Sequence, residues 1–180
     1  MKRILPLLLL CAFSTLVAGA AETLIHQAAF QAPRKGFGFW NTPDLQTAAS
    51  VVDGTAKIMF KANNAAKQNP YNAQFMVPYN KGFKAGVKYR VEATVKSSAD
   101  LKVKMAITLN QKPWTQLTGK DFDLKAGEAK TLVLTFSPAA DVTGNYRLPM
   151  FGLGLAKADT TVEISNVKCF ETKVFLTLVR

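Results

Sequence analysis

Apolar and polar residues alternate along most of this chain. Tyr89-Arg90-Val91-Glu92-Ala93-Thr94-Val95-Lys96 does so without a break, and Leu101–Leu109 repeats the pattern. Over residues 130–136, Leu132, Leu134 and Phe136 fall on one face. Residues 161–170 carry Val162, Ile164, Val167 and Cys169, with a slip of phase at Ser165-Asn166 that predicts a bulge. A period of two sends successive side chains to opposite faces, so each run predicts a strand with one face on a core and the other in water. Two earlier strands are expected at 56–62 and 73–79. Turn-forming residues separate the runs at Asp53-Gly54, Asn80-Lys81-Gly82, Ser97-Ser98-Ala99-Asp100, Lys125-Ala126-Gly127 and Thr143-Gly144-Asn145. After residue 20, no ten-residue window has a convincing helical period. The pattern predicts an all-β domain, a β-sandwich or jelly roll of two antiparallel sheets.

The N-terminus breaks the alternation. Lys2 and Arg3 precede an apolar run from Ile4 to Val17, and Ala18-Gly19-Ala20 then supplies small side chains. This is the pattern of a signal peptide over residues 1–20, cleaved before Ala21. The run is too short for a membrane span of about 20 apolar residues, and none follows it, so an integral membrane protein is not expected. Cys11 is poorly placed for lipid attachment, because Leu10 precedes it and apolar residues continue beyond it. The expected location is secreted or periplasmic. The expected organisation is a single domain over residues 21–180, long enough for a full core.

Charge and cysteine content narrow the picture. The formal charge of +11 loses Lys2 and Arg3 with the leader, leaving +9 on a chain drawn toward polyanions. The lysines are scattered, as on an ordinary solvated surface, and do not interleave with aromatics as in a nucleic-acid-binding sheet, so no nucleic acid partner is expected. Cleavage leaves Cys169 alone, and the fold must hold without an internal disulfide. Its place in an apolar alternation reads as a buried structural cysteine.

Certain motifs recur in a telling order. Val52-Asp53-Gly54-Thr55 precedes a strand, followed by Asn72-Ala73-Gln74-Phe75 and by Phe83-Lys84-Ala85-Gly86-Val87-Lys88-Tyr89. Phe151-Gly152-Leu153-Gly154 then leads to Val162-Glu163-Ile164-Ser165-Asn166-Val167. In order and spacing this resembles the carbohydrate-binding modules of families 4 and 9, over nearly the whole chain after residue 20. The resemblance implies a jelly roll whose concave sheet binds a polysaccharide by aromatic stacking and polar contacts, and it implies that the central-strand Gln74 faces the cleft. It also implies a structural calcium ion held partly by an Asp. This chain has Ser165 there, which puts the metal in doubt, and no other cofactor is expected. A second departure is the absence of an aromatic over residues 125–130.

Further ligand-binding candidates come from the residues themselves. Arg90 and Glu92 lie two apart on the outward face of a strand, placed either to bond a sugar rim or to pair with neighbouring charges. Trp114, in the polar loop Asn110-Gln111-Lys112-Pro113-Trp114-Thr115-Gln116, reads as a stacking platform or as a plug closing the sandwich. Tyr71, between Pro70 and Asn72, is a third aromatic candidate, whereas Trp40 reads first as a core seal. Basicity tilts the expected polysaccharide toward acidic chains.

Catalytic constellations are hard to assemble. His26 is the only histidine and reads as a surface residue. With one His and one Cys, neither a zinc cluster nor a Cys–His pair forms within the chain, and no Gly-x-Ser-x-Gly elbow is present. Phe83-Lys84-Ala85-Gly86-Val87 resembles a segment of jelly-roll alginate lyases, yet the Gln-x-His strand of those enzymes has no counterpart. The expectation is a non-catalytic glycan binder. The alternatives are a structural or adhesive jelly roll of the cell envelope and, third, an acidic-polysaccharide lyase.

Overall fold

The computed structural model describes residues 15–62 and 68–179, and the alternating runs become strands of two antiparallel sheets. In chain order the strands are β1 (Thr15–Gln27), β2 (Gly38–Asn41), β3 (Gln46–Val52), β4 (Thr55–Ala62), β5 (Ala73–Tyr79), β6 (Lys88–Ser97), β7 (Leu101–Leu109), β8 (Gln116–Leu124), β9 (Ala129–Phe136), β10 (Tyr146–Gly152) and β11 (Thr160–Val179). One sheet runs β3-β4-β11-β6-β9, with β1 also paired to β11, and the other runs β2-β5-β10-β7-β8. The bulge expected at Ser165-Asn166 is the register shift between Ser165 and Lys168 against β6, with Asn166 at φ +51°.

Inward positions of the alternation make the core. Ile58, Phe60, Val91, Val95, Val162 and Ile164 of the first sheet are fully buried, as are Phe75, Val103, Met105, Ile107, Leu148 and Phe151 of the second. Burying each such side chain contributes about 1.5–3 kcal/mol, so the facing sheets are held chiefly by this layer. Phe83 closes one end, with its ring 5.0–5.3 Å from those of Tyr79, Tyr89, Phe136 and Tyr146. Cys169 is buried in the same core, and desolvation there pushes its thiol up to about 12.

Residues 1–14, which hold most of the expected leader and Cys11, lie outside the described residues. Cleavage at the expected site would leave Ala21 through Gln27 of β1, whose partners run from Lys173 to Lys168. Among the described residues no helix is long and apolar enough to cross a membrane.

Candidate functional site

The outer face of the five-stranded sheet is organised by register. Gly38 pairs with Met76, Met76 with Met150, Met150 with Ala106, and Ala106 with Gly119, so one row crosses all five strands. Met150 and Ala106 are buried, at 1% and 0% exposure, yet they stand apart from the hydrophobic cluster between the sheets. Met76 and Met150 form the floor of a groove on the outside of the sandwich. On one flank the row Trp40–Gln74–Gly152–Lys104 follows, and on the other Arg147–Thr108–Gln116. The groove encloses about 690 Å³, within the usual range for ligand sites. Its aromatic walls are Trp40, Tyr71 and Trp114, which are 49%, 40% and 46% exposed. Its polar groups are Gln74, Asn110, Gln116, Thr108 and Arg147. Among the described residues no carboxylate and no histidine lines it.

Backbone geometry sets each wall. Tyr71 sits in a single 3-10 turn, Pro70–Asn72, capped by the Asn69 side chain, which accepts the Tyr71 N–H at 2.9 Å. That turn packs directly on the backbone of Gly152 and Gly154. A Cβ at residue 154 would lie 2.0 Å from the Asn69 carbonyl oxygen, and one at 152 would lie 2.9 Å from that of Pro70. The Phe-Gly-Leu-Gly motif is thus the seat of the Tyr71 turn. Trp114 follows a tight turn in which its N–H reaches the Gln111 carbonyl at 2.8 Å, and it is held at φ +58°. Left-handed backbone at a bulky residue costs about 1–3 kcal/mol and concentrates at functional positions.

Arg147 joins the walls together. Its Nη1 donates to Gln74 Oε1 at 2.7 Å, its Nε donates to Asn110 Oδ1 at 2.9 Å, and its Cζ lies 4.6 Å from the centre of the Trp114 ring. Gln74 in turn donates through Nε2 to the Tyr71 carbonyl at 2.9 Å. One chain of hydrogen bonds therefore runs from the Tyr71 turn through Gln74 and Arg147 to the loop that carries Trp114. Desolvation lowers the pKa of Arg147 from its usual value. Across the strand pair Thr108 is 6% exposed, and its hydroxyl has no hydrogen-bond partner among the described residues.

Of the residues singled out in the sequence, the fold brings Gln74, Tyr71 and Trp114 into this groove and sends Arg90 and Glu92 elsewhere. Those two do face outward, but β6 belongs to the other sheet. Arg90 contacts both oxygens of Glu22, at 2.7–3.1 Å, and also pairs with Glu92. Its guanidinium stacks 4.1 Å from the Phe170 ring centre. The hydrogen bond to Arg90 draws the pKa of Glu22 down. Of the two roles open to this pair, the fold realises the structural one.

Trp40 also differs from expectation, since it is half-exposed on the groove wall instead of sealing the core; Phe39, its neighbour on the opposite face, packs inward. His26 is half-buried, 5.4 Å edge-on from the Tyr79 ring, and burial lowers its pKa. Lys84 of the lyase-like segment pairs with Asp141 at 2.9 Å. Neither His26 nor Lys84 lines the groove.

Arg147 escaped the sequence reading altogether. Its signal was faint: one cation between Tyr146 and Leu148 in an otherwise apolar stretch. Around Ser165, the Asn166 amide donates to Thr94 Oγ1 at 3.4 Å. Among the described residues no group of three or more His, Cys, Asp or Glu side chains is placed to hold a metal ion. A serine and its uncharged neighbours do not fit a carboxylate-rich calcium site.

A family model described as a carbohydrate binding domain, CBM_4_9, matches residues 23–147. No curated protein sequence matches the chain. Among solved structures it is similar to CBM1 of BiXyn10A in its apo form, with a TM-score of 0.63 and 21% identity, covering 81% of this chain and 96% of that one. A CBM4 structure matches with a TM-score of 0.62 and 19% identity over 79% of this chain and 86% of that one. The N-terminal cellulose-binding domain of β-1,4-glucanase C from Cellulomonas fimi matches with a TM-score of 0.52 and 19% identity, over 74% and 87%. At these identities the structural likeness is one of fold.

Proposed function

The chain belongs to the CBM_4_9 family of carbohydrate binding domains, and from that membership we propose that it is an exported, non-catalytic module that binds a polysaccharide in the groove of the five-stranded sheet. The observation that carries this reading is the meeting of three exposed aromatics, Trp40, Tyr71 and Trp114, with aligned amides on one sheet face. Pyranose rings present apolar C–H faces and a rim of hydroxyls. Flat aromatics answer the first, and the amides of Gln74, Asn110 and Gln116 answer the second. Because the floor row crosses five strands at ~4.8 Å spacing, the groove extends over roughly 19 Å, long enough for a short run of sugar rings lying across the strands. The apolar floor of Met76 and Met150 offers the C–H faces of that run a surface without polar side-chain groups.

Among the described residues the groove lining offers no carboxylate, whereas cleavage of a glycosidic bond in most such enzymes takes two positioned ones. Binding without chemistry is therefore the activity that fits it. Export follows from the leader-like pattern of residues 1–20 and would bring the module to glycans outside the cytoplasm. The test is calorimetry and affinity electrophoresis of the purified protein against a broad set of soluble polysaccharides, with Trp114→Ala and Trp40→Ala beside it. Retardation that persists in high salt and is weakened about tenfold in each variant supports a stacking groove. No binding to any chain would favour a structural jelly roll.

A further inference from the structure

We infer that the groove reads an acidic sugar, with Arg147 as the residue that takes the carboxylate of a uronic-acid ring. This rests on the polysaccharide-binding reading above and names the substrate class within it. The argument begins with an inventory of donors. A guanidinium has five N–H groups. Arg147 spends one on Asn110 and one on Gln74, both neutral amides, and the remaining three have no acceptor among the described residues. No Asp or Glu forms an ion pair with it there, and none lines the groove. Arg90, on the opposite sheet, shows what this chain does with an ordinary structural arginine: it pairs with Glu22 and Glu92.

Arg147 is instead partly desolvated with no counter-charge, an arrangement that is unfavourable until an anion arrives. It is also fixed in place. The two amides hold its edge, and the Trp114 ring lies under its plane. A planar, pre-oriented fork with free donors matches a carboxylate in bidentate geometry. Thr108, paired across the strands with Arg147, also lines the groove; its hydroxyl is buried and has no hydrogen-bond partner among the described residues, so it offers Arg147 no counter-charge. The chain's overall positive charge draws polyanions from a distance, but that attraction is screened by salt, whereas a desolvated bidentate contact is screened far less.

The experiment uses matched pairs of oligosaccharides on several backbones: β-1,4-glucan, β-1,4-mannan and α-1,4-galactan. Each is supplied in its neutral form and as the chain oxidised to the uronate at C6. Affinities of the purified protein are measured by calorimetry at low and high salt. The expected result is that on at least one backbone the uronate binds about tenfold or more tighter than its neutral partner, a preference that survives high salt.

Arg147→Gln should collapse that ratio toward one, and Arg147→Lys should keep part of it, since the charge remains and the fork does not. Lys96→Gln, which removes one charge from the opposite sheet, should leave the ratio unchanged. Melting curves for each variant separate loss of recognition from loss of folding. A ratio near one in the wild type overturns the inference while leaving the polysaccharide reading intact. So does a preference that salt abolishes, or one that Arg147→Gln leaves untouched. Absence of binding to every member of every pair, neutral or acidic, overturns both.

Discussion

Replacing Gln74 with methionine tests the hydrogen-bond chain on which the groove's geometry depends. Methionine keeps the length of the side chain and removes both of its polar functions. Two bonds disappear: the one from Arg147 Nη1 at 2.7 Å and the one to the Tyr71 carbonyl at 2.9 Å. A bond to a charged group contributes about 1.5–3 kcal/mol and a neutral one about 0.5–1.5 kcal/mol. Gln74 is only partly buried, so water replaces much of this in the free protein. The expected stability loss is therefore about 1 kcal/mol, a fall in Tm of roughly 2–4 °C for a domain of this size.

Binding should suffer more, because Arg147 loses one of its two amide holds and Tyr71 loses the anchor of its turn. About a tenfold weakening is expected by calorimetry against whichever glycan the wild type binds, equivalent to about 1.4 kcal/mol. The decisive form is a double-mutant cycle with Arg147→Met. If Gln74 acts by holding Arg147, the two losses must fall short of additivity by about 0.5–1.4 kcal/mol, up to the whole of the Gln74 loss. Losses that add within about 0.3–0.5 kcal/mol would refute the linkage.

Other consequences follow from the same geometry. Gly154→Ala drives a Cβ to within 2.0 Å of the Asn69 carbonyl oxygen; it should cost about 1–3 kcal/mol by thermal melt and weaken glycan binding by displacing Tyr71. Trp40→Ala and Trp114→Ala should each reduce affinity about tenfold, the loss of one stacking face together with its buried area, with melting temperature nearly unchanged. Arg90→Met should leave glycan binding at the wild-type level, since that arginine lies on the opposite sheet, and a loss of affinity would contradict the placement of the site. Cys169, whose thiol is raised from 9.0 to about 12, should resist thiol reagents in the native protein and react on unfolding. Its proton is held more tightly in the folded state. The associated stability is complete below about pH 9 and is lost as pH rises toward 12, so denaturant midpoints should fall over that window.

The strands that alternated cleanly were legible at once: β4, β5, β6, β7 and β9 match the runs read from residue pattern to within a residue at each end. The less regular ones were obscured for separate physical reasons. β10 carries Pro149 and buries Leu148, Met150 and Phe151 in succession, because a central strand flanked by the core on one side and the groove floor on the other loses its polar face. β8 is an edge strand with most residues at least partly exposed, so Gln116-Leu117-Thr118-Gly119-Lys120-Asp121 shows no clean apolar–polar alternation and predicts no strand. β11 extends past the expected boundary to pair with β1, a partner drawn partly from the leader-like segment.

For the site, parity of alternation correctly put Arg90 outward and Gln74 away from the core, but parity cannot say which of two sheets a strand joins. That is why Arg90 and Glu92 were grouped with Gln74. Trp40 was ambiguous because Phe37, Phe39 and Trp40 crowd one short stretch. Only its pairing with Gln74 assigns it to the outer face.

The separation between the groove floor and the hydrophobic layer has a consequence for how this protein can change. Met76, Met150 and the walls around them line an outer face that the inter-sheet cluster does not share. Substitutions of the exposed wall residues Trp40, Tyr71 and Trp114 should alter the groove with little disturbance of folding, because these side chains lie outside the inter-sheet cluster. Tyr71 illustrates the point: its turn is seated by backbone against Gly152 and Gly154, so its ring is an exchangeable attachment on a fixed mount. A scaffold built this way is evolvable and suited to engineering. If the groove binds a glycan as proposed, a few outward side chains set which sugar it takes while the sandwich beneath stays the same.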